Sequence, residues 1–216
     1  MATSSGIGRR RQAAKGEDRA AYRARRREIV EAAAQVFKQR GFRGTNLGDV
    51  AKVLGTDRAS LYYYVGSKAE LFDEAVTGAV KANSALAEAI RDSDAPAPAK
   101  LRTLVESLMA SYAENYPFLY IYIQENLSHV EPKRTAWATQ MRLLNKRYED
   151  AAVAIIQQGY DAGTLREKAP AWVVAYGVIG MVAWTNRWFD PTTSAADAAT
   201  IGATYADLVL DGLATV

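Results

Sequence analysis

Between Ile29 and Val80 apolar residues recur every three or four positions, and glycine cuts that pattern at Gly41 and again at Gly55. Such a run can only become short helices joined by tight turns; it offers no two-residue alternation for a strand. Ile29, Ala33, Val36, Phe37 and Arg40 fall on one face of a first helix beginning near Ala21, and Gly41 suits the left-handed conformation that ends it. Leu47, Val50, Ala51 and Leu54 stripe a second helix, with Asn46 and Asp49 at its N-cap and N3 positions. Gly55 and Thr56 turn the chain, and Asp57 caps a third helix running to about Tyr64. Ser67 and Glu70 predict a capping box for a fourth, whose apolar face is Leu71, Phe72, Ala75, Val76, Ala79 and Val80.

Proline punctuates the rest. The DSDAPAP run from Asp92 to Pro98 cannot continue a helix, because each proline lacks a donor and clashes with the turn before it. Pro98 then opens a helix through Leu101, Leu104, Val105, Leu108, Met109 and Tyr112 to Asn115. Pro117 restarts the chain, and Glu131-Pro132 precedes a long helix ending near Gly163. Pro170 opens a helix that stops before Asp190-Pro191, and Ser194 and Asp197 cap the last, with Ile201, Tyr205, Leu208 and Val209 on one side. The fold class is all-α with about nine helices. Residues 1–20 read as a disordered basic arm, 21–66 as a helix-turn-helix domain and 67–216 as a ligand-binding and dimerisation domain.

Charge divides the chain in a similar place. Residues 1–70 hold 15 of the 27 Lys+Arg but only 7 of the 24 Asp+Glu, so a basic front precedes an acidic body. The front is expected to meet a polyanion; nucleic acid fits best, and charge alone leaves a membrane surface as the alternative. With no cysteine and one histidine, His129, neither a thiolate nucleophile nor a histidine metal site is expected, and a reducing cytoplasm suits the composition. Ser128 and His129 are neighbours in sequence, which on a helix do not face each other, so no catalytic pair is expected there. The longest apolar stretch, Ala171 to Trp184, falls short of the roughly 20 residues a membrane span needs. No cofactor, metal or membrane partner is expected.

The third helix has the form of one that reads DNA. Arg58, Ala59 and Ser60 occupy its first turn, where a small alanine permits close approach to base edges and a serine can donate or accept. Leu61 and Val65 make its core face, so at least two of Tyr62, Tyr63 and Tyr64 should point outward. Lys68 and the backbone amides near Thr45 and Asn46 are expected at phosphates. Arg19, Arg23, Arg25, Arg26 and Arg27 can follow the DNA backbone or enter a minor groove.

The stretch GFRGTNLGDVAKVLGTDRASLYYYVGSKAEL resembles the DNA-binding domain of the tetracycline-repressor (TetR) family. That resemblance implies base reading by Ala59, Ser60, Tyr62 and Tyr63, and phosphate binding by Thr45, Arg58, Tyr64 and Lys68. Where the family usually has phenylalanine and proline, this chain has Val65 and Gly66. The resemblance also implies a symmetric homodimer built on the last two helices. Gly177 and Gly180 in one, and Ala198, Ala199, Gly202 and Ala203 in the other, allow the close helix approach such a bundle needs.

Aromatic residues mark a pocket for a lipophilic effector: Tyr112, Tyr116, Phe118, Tyr120 and Tyr122, then Trp137, Met141 and Arg142, then Trp184, Asn186, Arg187, Trp188 and Phe189. An arginine between two tryptophans must be paired, stacked or snorkelling. The run MVAWTNRWFDP is similar to a signature of TetR-family regulators of fatty-acid and sterol catabolism that respond to acyl-CoA thioesters. This implies ligand contacts at Trp184, Arg187 and Trp188, with Tyr112, Tyr116, Tyr120, Trp137 and Met141 around them. The chain is thus expected to be a repressor on a near-palindromic operator, released by an acyl-CoA. The alternatives are an aromatic or multi-ring lipophile, or a DNA-binding protein with no effector. An enzyme is not expected, since no nucleophile-base pair or metal ligand set is present.

Overall fold

The computed structural model describes residues 19–42, 44–124, 127 and 134–213. The expectations for residues 1–18 of the arm, for Ser128 and His129, and for the Glu131-Pro132 break lie outside these. Nine α-helices and one turn of 3-10 helix are found among the described residues. The chain divides into two compact units, one ending at Val76 and the other beginning at Thr77.

The first unit holds α1 (Arg19–Arg40), α2 (Leu47–Val53), α3 (Arg58–Tyr64) and the opening turns of α4 (Lys68–Asp92). Helix α1 lies against both α2 and α3. Ile29, Val36, Phe37, Val50, Leu61, Val65, Leu71, Phe72 and Val76 are buried in its core, close to the periodic set read from the sequence. Arg40 is a correction: it is exposed and meets Asp49 at 3.4 Å instead of joining the apolar face. Gly41 and Gly55 both take positive φ, at 74° and 62°, which a side chain would oppose.

The caps are built largely as predicted. Asn46 and Asp49 form a reciprocal capping box at α2, and Asp57 accepts the Ser60 amide at α3. At α4 the box is rearranged. Ser67 Oγ accepts the Glu70 amide at 3.1 Å, but the Glu70 carboxylate reaches back to the Gly66 N–H at 2.8 Å. A proline at position 66 would have no hydrogen to give it.

The second unit contains the rest of α4 with α5 (Ala97–Glu114), α6 (Phe118–Ile123), α7 (Thr135–Asp161), α8 (Ala171–Ala183) and α9 (Ala198–Leu213). Helix α5 is the hub: α9 packs along it and α7 lies against both α5 and α8. Leu101, Leu104, Met109, Leu119, Met141, Ile155 and Ile156 are its most deeply buried large side chains. Helix α8 stops at Ala183, earlier than expected, and the chain tightens into 3-10 geometry over Trp184–Arg187.

Three expectations for the last helix change. Asp197 caps α9 by accepting the Thr200 amide, whereas the Ser194 hydroxyl accepts the Asp190 amide in the preceding turn. Its buried side is Ile201, Gly202, Ala206 and Leu213, while Leu208 is exposed. Gly202 serves packing inside the chain, because a Cβ there would sit 3.2 Å from the Glu106 Cα on α5. Gly177 and Gly180 on α8 face open space. No helix among the described residues is long and apolar enough to cross a membrane.

Candidate nucleic-acid interface and effector cavity

Helix α3 presents its first turn outward. Arg58, Ala59 and Ser60 are all exposed, while Leu61 and the capping Val65 anchor the opposite face in the core. The Asp57 carboxylate accepts both the Ser60 amide and the Ser60 hydroxyl at 2.7 Å. Those two bonds, the hydroxyl's first, hold the Asp57 pKa below the usual carboxylate range. Ser60 keeps its oxygen lone pairs for a donor on a base edge. One turn on, the Arg58 guanidinium donates to the Tyr62 hydroxyl at 2.9 Å and lies 5.4 Å from that ring's centre. Tyr62, Tyr63 and Tyr64 are each half-buried. Tyr64 and Tyr63 pack edge-on at 5.0 Å, and Tyr22 of α1 stands 5.2 Å from Tyr64, so α1 supports the back of α3.

Several residues assigned to phosphate from the sequence are turned inward. Arg26 donates to Glu74 at 2.7 Å, to the Tyr64 carbonyl at 2.7 Å and to Glu70 at 2.8 Å. Burial works against its charge, but the Glu74 and Glu70 hydrogen bonds outweigh this and keep its pKa above the ordinary arginine value. It is a clamp between α1, α3 and α4, not a free cation for DNA. Thr45 is 5% exposed and donates its hydroxyl to the Gly41 and Phe42 carbonyls. Lys68 gives two of its N–H groups to the Phe42 and Thr45 carbonyls, at 2.6 and 2.9 Å, over the Phe42 ring. The Asn46 amide, expected to be open to an anion, donates to Asp49. Arg25 remains on the outer side of α1, paired with Glu28 at 2.7 Å.

The second unit holds a half-open cavity of about 280 Å³. Val80 and Asn83 of α4, Leu108 and Tyr112 of α5, Leu119 and Tyr122 of α6, Asn145, Tyr148 and Glu149 of α7, and Ile179 and Ala183 of α8 contribute to its wall. The wall is mostly hydrocarbon with a few amides and phenols, the composition expected of a site for a small organic molecule. Asn145 donates to the Tyr122 hydroxyl at 2.8 Å, and Tyr176 donates to Glu149 at 3.1 Å. Desolvation pushes the Tyr112 and Tyr148 hydroxyls well above the usual phenol pKa.

Of the pocket residues read from the sequence, Tyr112 and Tyr122 line this cavity. Tyr120 lies behind it, sharing a 2.8 Å hydrogen bond with Thr185; burial pushes its pKa up to about 12 although that bond opposes the shift. Tyr116 donates to Asp190 at 3.1 Å. Trp137 donates to Thr77 at 3.0 Å, and Met141 is fully buried beside the same hydroxyl. Trp184 and Trp188 are 61% and 49% exposed, with the Arg187 guanidinium 5.5 Å from the Trp184 ring. These three therefore stand outside the cavity, although Ala183 just before them is part of its wall. Sequence reasoning missed Asn83, Asn145, Tyr148 and Glu149. A usable signal was there: residues 145, 148 and 149 share one helical face that also carries the buried Leu144 and Ala152 nearby. Among the described residues no cluster of His, Cys, Asp and Glu could hold a metal ion.

Comparison with known proteins yields two family models. "Bacterial regulatory proteins, tetR family" matches residues 29–75, and "Tetracyclin repressor-like, C-terminal domain" matches residues 94–213. The HTH-type transcriptional repressor KstR2 of Rhodococcus jostii (strain RHA1) is 28% identical over 205 residues, covering 92% of this chain and 96% of that protein. The solved ketosteroid transcriptional regulator KstR2 of Mycobacterium tuberculosis is similar with a TM-score of 0.73 at 25% identity, over 89% of this chain and 96% of that one. FadR from Bacillus subtilis, solved in complex with stearoyl-CoA, shares the fold with a TM-score of 0.66 at 17% identity, over 86% of this chain and 97% of that one.

Proposed function

Because this chain belongs to the TetR family of DNA-binding transcriptional repressors, we propose that it grips a near-palindromic operator as a homodimer and is released by a lipophilic effector, an acyl-CoA thioester. One observation carries the DNA half of this reading. The first turn of α3 is exposed and small, while Asp57 and Arg26 fix the same helix from behind. Base reading then falls to Ala59, Ser60, Tyr62 and Tyr63, with Arg58 and Arg25 toward phosphates. Arg26, Thr45 and Lys68 position that surface.

The exposed apolar side chains of α8 and α9 support a two-fold pair. Trp172, Val173, Tyr176 and Leu208 face outward, and an apolar groove of about 290 Å³ runs between Gly177, Met181, Val209 and Gly212. Such a pair would set its recognition helices about 34–36 Å apart, one turn of DNA. The cavity would take the acyl part of the effector, with Trp184, Arg187 and Trp188 outside it for the coenzyme's phosphates. The similarity to the mycobacterial ketosteroid regulator favours a multi-ring acyl group as the second reading. Effector binding and operator binding are linked through two conformations, and a coupling of about 1–3 kcal/mol per site would loosen the operator roughly 5–150-fold.

The test is a gel shift on the DNA upstream of the protein's own coding sequence, repeated with a panel of acyl-CoA thioesters and their free acids. Release by a thioester but not by its acid is the expected result. An Arg187→Ala protein should still bind the operator but respond only to higher thioester concentrations. Equal response would remove Arg187 from the effector site.

A further inference from the structure

Most tyrosine hydroxyls in the second unit have a partner. Tyr116 donates to Asp190, Tyr160 to the Ala169 carbonyl and Tyr176 to Glu149, while Tyr120 is bonded to Thr185 and Tyr122 accepts from Asn145. Tyr205 on α9 has no such partner among the described residues but does not line the cavity, and it is Tyr112 and Tyr148 that are different. Both line the cavity, Tyr112 is 7% exposed, and neither hydroxyl has a hydrogen-bond partner among the described residues. They are near enough for their charges to interact if ionised. Neither hydroxyl is among the sealed, unpartnered polar atoms of the described residues, so both are reachable through the cavity, and two such phenols on one largely apolar wall can donate to something that enters.

Taking the cavity as the effector site, we infer that Tyr112 and Tyr148 donate to an uncharged carbonyl oxygen on an otherwise apolar effector. A carbonyl has two lone pairs and no hydrogen of its own to place, so it can satisfy two O–H donors at once. A bare hydrocarbon leaves both phenols unbonded. A free carboxylate fares badly for another reason: among the described residues the lining includes no Lys, Arg or His, and Glu149 brings a like charge to the wall. The carbonyl can belong to a thioester or to a ketone, and the two sources call for separate arms in the test.

The full-length protein is titrated calorimetrically with cyclooctanone against cyclooctane, and with octanoyl-CoA against octanoate. Cyclooctanone should bind about tenfold more tightly than cyclooctane, the worth of one or two net hydrogen bonds. In the Tyr112→Phe/Tyr148→Phe double variant that ratio should fall to about twofold, with cyclooctane affinity retained because the wall keeps its shape. Equal binding of ketone and hydrocarbon to the parent would overturn the assignment. So would a preference that survives in the double variant, or octanoate binding as well as octanoyl-CoA. The same mixtures are run against operator DNA. A ketone that binds through the tyrosines without freeing DNA upholds their role and defeats the effector reading. Release that ignores the tyrosine changes does the reverse, and failure of every probe to bind defeats both.

Discussion

In the first unit Arg26, Lys68, Thr45 and Asp57 are already occupied, whereas in the second unit two phenols on the cavity wall have no hydrogen-bond partner among the described residues. Arg26 holds two carboxylates and a carbonyl, Lys68 the Phe42 and Thr45 carbonyls, Thr45 the Gly41 carbonyl and the same Phe42 carbonyl, and Asp57 both donors of Ser60. Tyr112 and Tyr148 keep their donors. A surface that reads base edges gains affinity by being rigid beforehand, since every rotamer frozen on contact weakens binding. A cavity that senses a ligand needs the opposite: bonding capacity left unspent until the ligand comes.

The sharpest way to break this contrast is at α3 itself. Cutting Ser60 and Tyr63 together to alanine should weaken operator binding about 100-fold and flatten its preference over unrelated DNA, as lost base contacts do; filter binding at fixed salt measures both. Next comes the clamp. Arg26→Gln should cost the first unit about 2 kcal/mol in urea unfolding, the scale of lost charged hydrogen bonds. The slope of operator affinity against salt should stay unchanged, and a slope shallower by about 0.9 would instead put that guanidinium on a phosphate.

A smaller effect separates two glycines in the second unit. Gly202→Ala should destabilise the chain by about 1 kcal/mol, because the new methyl meets backbone on α5. Gly177→Ala faces open space, so it should leave the chain's own stability intact or raise it. If α8 packs against its twin, the same methyl should weaken the pair in sedimentation equilibrium. The smallest effect is alkaline. A phenol whose pKa is raised in the folded state binds its proton longer there than in the unfolded chain, so stability holds below the ordinary tyrosine pKa and falls as pH rises beyond about 10. Tyr112→Phe/Tyr148→Phe should flatten that fall in urea unfolding series, and an unchanged slope would mean these hydroxyls titrate normally.

Local features were readable from the sequence. Asn46, Asp57 and Asp197 cap helices because an N-cap is set by residues three positions apart, and Gly41 and Gly55 turn where their neighbours require it. What was not readable was which polar side chains fold back. Arg26 finds Glu74 48 positions away and Lys68 finds Phe42 26 away, so a basic residue beside a DNA-reading helix looked like a phosphate contact. The cavity misled in the same manner. Trp137, Trp184 and Trp188 drew notice by size, yet the wall is assembled from α4 to α8, and its amides and Tyr148 are ordinary residues on otherwise apolar faces.

The placement of the four tryptophans equips this protein with its own optical gauge. Trp137 is half-buried and bonded to Thr77, while Trp172, Trp184 and Trp188 are each about half or more exposed. Covering α8 and the turn after it by a second copy would shift three of the four indoles toward shorter emission wavelengths at once. Dilution followed by fluorescence would then report assembly without any dye, and filling the interior would be told apart by a response confined to the turn that carries Trp184 and Trp188.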